Sequence, residues 1–144
     1  MKRPAFTLME ILLSLSIIAV LAGILAPVYL SFQTRNDIDI AAGAVVRTLR
    51  RAQQLSFNGE GDSAWGMNLA SGAVVLFKGS SYAARDSAYD EIFSIPVNIS
   101  FTGTSSVVFS KFYGLPGAAA TINLTSVNNE IKTININAKG AVGY

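Results

Sequence analysis

The chain has no cysteine and no histidine among its 144 residues. Without cysteine there is neither a disulfide framework nor a thiolate metal site. Without histidine there is no imidazole ligand, no His-based triad and no ordinary general base near neutral pH. Catalysis would have to rest on carboxylates, hydroxyls or lysine, and no nucleophile–base pair is visible. The chain is therefore read as a non-enzyme that needs no cofactor and no metal. Charge is also scarce: 14% of residues are Asp, Glu, Lys or Arg, and none of these occurs between Glu10 and Arg35. The net charge of +2 comes from Lys2 and Arg3, because the other nine basic side chains are matched by nine acidic ones. No bulk attraction to DNA follows from that balance.

What the chain does have is a long apolar run. Residues 11–32 read as a membrane-spanning helix, since roughly 20 apolar residues at about 1.5 Å each cross a hydrocarbon core. Lys2 and Arg3 would stay on the cytoplasmic side and the remainder outside. Glu10 stands at the front edge of this run. An acidic residue costs about 2.5–3.5 kcal/mol at a membrane helix centre and less near the interface. A buried carboxylate is tolerable when paired and expensive when not, so Glu10 calls for a partner. Gly23 and Pro27 fall inside the run, and Pro27 removes a backbone donor, so a kink or local melting is expected there.

The helical period continues past the run. Ile38, Ala42, Val45, Leu49, Ala52 and Leu55 recur at spacings of four and three, forming one apolar stripe. Arg47, Arg51, Gln54 and Asn58 fall on another face, Arg35 and Asp39 form an i,i+4 pair, and Asn58-Gly59 is a stop signal. A single helix of about 50 residues is expected, apolar all round in its first half and amphipathic in its second. From residue 64 the period changes to two. Residues 64–69 and 73–78 flank Ala70-Ser71-Gly72 as a hairpin, residues 79–90 read as a surface loop, and 91–95 as a short strand. Residues 97–102 and 106–112 read as a second hairpin around Gly103-Thr104-Ser105. Residues 121–127 and 131–138 alternate around a third turn, with Ile122, Leu124, Ile134 and Ile136 on its buried face, and 141–144 are expected to finish the sheet. The fold class is α+β: a long N-terminal α-helix, membrane-spanning and then amphipathic, packed on a C-terminal antiparallel β-sheet domain.

The string Ala5-Phe6-Thr7-Leu8-Met9-Glu10 resembles the processing site of type IV prepilins and type II secretion pseudopilins. That resemblance implies cleavage between Ala5 and Phe6, N-methylation of Phe6, and assembly through Phe6, Glu10, Gly23 and Pro27. Ala5 stands where the family usually has Gly. The implied segments are a leader (1–5), a transmembrane and assembly helix (6–34), an amphipathic continuation (35–59) and an antiparallel β domain (60–144). The new amine of Phe6 would lie beside Glu10 and within reach of a neighbouring subunit's Glu10. Implied partners are other pilin subunits, a prepilin peptidase and methylase, and an inner-membrane assembly platform. The chain would reside in the inner membrane as a single-pass protein and then in a pilus or pseudopilus.

Leu49-Arg50-Arg51-Ala52-Gln53, Ser63-Ala64-Trp65-Gly66-Met67 and Gly114-Leu115-Pro116 further resemble H-type minor pseudopilins, which set a long helix against two small antiparallel sheets. Some relatives take up DNA through a basic tail; here the matching stretch has Lys139 alone, and phosphate contact needs several cations. DNA uptake or adhesion through the β domain is the alternative function, with DNA not the expected partner. Arg47, Arg50 and Arg51 form a denser cluster and are candidates for a subunit contact. Asp86, Asp90 and Glu91 have the oxygen chemistry calcium takes, without an ordered ligand pattern. Trp65, Tyr82 and Tyr89 read as core or rim aromatics.

Overall fold

A computed structural model describes residues 6–143, apart from the side chains of residues 25–28, 30 and 31. The chain is α+β: one long helix, α1 (Leu8–Phe57), a short 3-10 turn (Glu60–Asp62) and eight strands in two antiparallel sheets. It divides into two compact units, Met1–Gln33 and Thr34–Tyr144. The helical backbone continues through Gly23 and position 27, so the expected local melting is not found. Rigid φ at a proline is compatible with helix; the lost donor removes one hydrogen bond rather than the whole turn. Ala5 and the side chain of Pro27 lie outside the described residues.

Within the second unit, α1 contributes one face to the core. Ile38, Ala42, Val45, Leu49 and Ala52 are buried, as their spacing predicts, and Ala41, Ala44, Val46 and Thr48 widen the buried face beyond a single stripe. Two sheets contact this helix, so a narrow stripe is not enough to cover both. The helix ends where Asn58-Gly59 indicates: Asn58 N–H still reaches Gln54 O at 2.9 Å, and Gly59 takes φ 65°. Asp39 does not pair with Arg35; its carboxylate meets Lys132 on a strand instead.

The first sheet has the order β3 (Asp86–Ser94), β2 (Ala73–Lys78), β1 (Trp65–Ala70), β5 (Ser106–Phe109). The hairpin β1–β2 closes with Ala70 opposite Ala73 across Ser71-Gly72, where Gly72 supplies the φ of 74° a tight turn needs. Val74 and Leu76 face the common core, while Phe77, equally buried, points to the other side beneath Tyr82. The second sheet has the order β4 (Ser100–Gly103), β6 (Ala120–Thr125), β7 (Ile131–Ile136), β8 (Val142–Gly143). In it Ile122 pairs with Ile134, and Ile122, Leu124, Ile134 and Ile136 are buried together against the same cluster as the helix face.

Two expectations about the strands also fail. Residues 79–90 are not all loop, because β3 begins at Asp86. It is an edge strand exposed on both faces through its first half, so it lacks the apolar alternation that marks a half-buried strand. Nor do β4 and β5 form a hairpin: β4 pairs with β6 and β5 with β1, in different sheets. Gly103, at φ 90°, brings its backbone so close to β6 that a Cβ there would lie 2.4 Å from Thr121 O. Thr104 N–H then bonds Thr121 O, and Ser105 O accepts from Leu69 N–H in the other sheet. The segment is a crossover between sheets.

Candidate functional site

The front of α1 is built around Thr7 and Glu10. Thr7 N–H and the Thr7 hydroxyl donate to Glu10 Oε2 at 2.9 and 3.0 Å, and Glu10 N–H approaches Thr7 Oγ1 at 3.3 Å. This is a reciprocal capping box, in which a threonine before the first turn and a glutamate three residues later satisfy each other's backbone donors. Thr7 is the residue that sequence reasoning missed, although Thr-x-x-Glu ahead of an apolar run is its signature. Glu10 Oε1 takes no hydrogen bond among the described residues. Phe6, immediately ahead of the cap, is 80% exposed.

Behind the cap, described side chains from Leu8 to Ile24 are exposed on every side of the helix, and most of them are apolar. The few hydroxyls here are turned onto the helix: Ser14 Oγ donates to Glu10 O at 2.6 Å and Ser16 Oγ to Leu13 O at 2.8 Å. At Gly23 an added Cβ would meet nothing within 4 Å. Residues 8–24 thus present a largely apolar surface on which both serine hydroxyls are satisfied by the helix itself. Among the described residues no helix is long and apolar enough to cross a membrane. The expected span of 11–32 includes the six side chains outside that set.

Further along α1, Arg47, Arg50 and Arg51 are exposed. Arg51 Nη2 donates to Glu91 Oε1 of β3 at 2.6 Å. Arg47 lies beside Gly43 and, like Arg50, has no ion-pair partner among the described residues. The acids considered for calcium are engaged separately. Asp90 accepts from Arg85 Nε at 2.8 Å, Glu91 holds Arg51, and Asp86 Oδ1 accepts from Ala88 N–H. No group of three potential ligands is found among the described residues. Trp65 is buried with its ring N–H on Glu60 O, and Tyr89 meets it edge-on at 6.3 Å. Lys139 is exposed in the β7–β8 turn without a basic neighbour in sequence.

The architecture is that of an α+β protein whose long helix buries one face in the second unit and is bare from Leu8 to Ile24. Comparison with family models, characterised proteins and solved structures finds no match to this chain.

Proposed function

We propose that this chain is a structural subunit, a pilin or minor pseudopilin, that is held in the inner membrane by residues 11–32. It is then packed helix to helix into a type IV pilus or type II secretion pseudopilus. The observation that carries this reading is the bare apolar surface of residues 8–24 led by a capped carboxylate. Exposed apolar surface of this extent calls for lipid or for other subunits. In the membrane those side chains are solvated by acyl chains; in a filament they pack on neighbours. The capping box supports the same reading, because it keeps Glu10 satisfied in a lone subunit while Oε1 stays free to accept from a neighbour's amine.

Processing before Phe6 would place an ammonium one residue ahead of the cap, and methylation would preserve its charge. Pairing between that amine and a neighbour's Glu10 favours one register between subunits, since every other register leaves a carboxylate unpaired in an apolar setting. A prepilin peptidase and an assembly platform are the partners this cycle requires. Mass spectrometry of the protein purified from its native membrane tests it: the expected species starts at a methylated Phe6, and an intact Met1 start removes the reading. Glu10→Leu should insert normally yet assemble poorly, and normal filaments from that variant would take Glu10 out of the mechanism.

A further inference from the structure

The second unit carries two surfaces of opposite chemistry. One is a groove of about 480 Å³ between α1 and the edge strand β3. Ile40, Ala44, Ile92 and Phe93 give it apolar walls, with Arg47 and Arg51 on its lining. Ile92 is 67% exposed on this edge strand, opposite Val75 of β2. Arg51 is neutralised by Glu91, whereas Arg47 has no acidic partner among the described residues. Such a groove suits an apolar side chain flanked by a carboxylate, which a guanidinium binds through its planar fork.

The β6–β7 turn has that chemistry. Val127 and Ile131 are 63% and 61% exposed and flank Glu130, which has no basic partner among the described residues. The turn is held in shape from within. Ser126 N–H bonds Glu130 O at 2.9 Å, Asn129 N–H bonds Ser126 O at 3.0 Å, and Glu130 N–H reaches Ser126 Oγ at 3.2 Å. A turn already ordered loses little entropy on docking.

We propose that the β6–β7 turn of one copy docks in the α1–β3 groove of a second copy, with Glu130 against Arg47 and Val127 and Ile131 against the apolar walls. The two surfaces differ, so the contact is heterologous and propagates from copy to copy instead of closing on a two-fold axis. It rests on the reading of the chain as an assembling subunit and specifies what its globular unit touches.

The absence of cysteine makes the test direct. The full chain carrying Ile92→Cys and Val127→Cys together is oxidised mildly in its membrane and run on a non-reducing gel. The expected result is a ladder of dimers and higher multimers, absent from either single variant. Adding Arg47→Glu should cut the ladder about five-fold or more, and adding Glu130→Arg as well should restore it. A double-cysteine chain that stays monomeric overturns the contact, as does disulfide formation only with foreign proteins. A ladder indifferent to Arg47→Glu overturns the charge pairing. A ladder formed while no filament appears upholds the contact and removes the filament reading alone.

Discussion

Ser56 closes the buried stripe of α1 with a hydroxyl where the pattern has methyl groups, and the structure gives that hydroxyl three neighbours. Trp65 N–H donates to Ser56 Oγ at 2.8 Å, and Oγ lies 3.1 Å from Phe109 O and 3.3 Å from Trp65 O. Ser56 O also accepts from Phe112 N–H, so one fully buried residue ties the helix end to β1 and to the segment after β5. Ser56→Ala leaves the Trp65 donor without its acceptor. A loss of about 1–3 kcal/mol in unfolding free energy is expected, measured by denaturant titration of the full chain in detergent. Asp62 offers a pH-dependent case. Hydrogen bonding and attraction from Lys111 hold its carboxyl below the usual carboxylate range. Its folded pKa is depressed, so its contribution is present above the unfolded value and is lost as pH falls through the folded one. The stability difference between the natural chain and Lys111→Met should therefore be seen near neutrality and vanish in strong acid. It should be small and reduced by salt, because Asp62 is 88% exposed. Neither partner of these contacts is readable from spacing, since Ser56 and Phe109 are 53 positions apart and Asp62 and Lys111 are 49.

At the scale of elements, the helix and the tight hairpins were legible because their signals are local. The stripe from Ile38 to Ala52, the Asn58-Gly59 stop and the Ser71-Gly72 turn each depend on residues a few positions apart. The β4–β5 connection was misread because turn chemistry reports a change of direction without saying which strand comes next. The first half of β3 was missed because an edge strand open on both faces has no buried side to impose alternation. Close approaches within a sheet were likewise hidden. A Cβ at Gly66 would lie 2.5 Å from the Phe77 ring and 2.8 Å from Val107 O, so β1 admits only glycine there without displacement. Gly66→Ala should destabilise by about 1–3 kcal/mol through overpacking, seen as a lower denaturation midpoint at unchanged slope.

For the whole molecule, the core has a sharp limit along the chain. Among the described residues its buried cluster begins at Ile38 and draws on both sheets, with no member before that position. A chain lacking residues 1–33 should therefore keep its cooperative thermal transition and its far-ultraviolet strand signal; loss of the transition would show that the first unit is needed for folding. The candidate site divides differently. Phe6, Glu10 and Gly23 stand out in the sequence as features of an apolar run, whereas the hold of Thr7 on Glu10 was missed although Thr-x-x-Glu signals it. Arg47, Arg50 and Arg51 looked alike in sequence, and only β3 distinguishes them: Glu91 takes Arg51, the groove takes in Arg47, and Arg50 is left outside its lining.

By itself, the sequence determined the long helix, its stop, the switch to period two and the lack of side chains for thiol or imidazole chemistry. Each is settled by neighbours along the chain or by composition. Only the tertiary structure decided that two sheets share one helix face, that residues 103–105 cross between them, and that an arginine with no acidic partner among the described residues borders an apolar groove. These depend on residues dozens of positions apart being brought into contact, which periodicity does not encode.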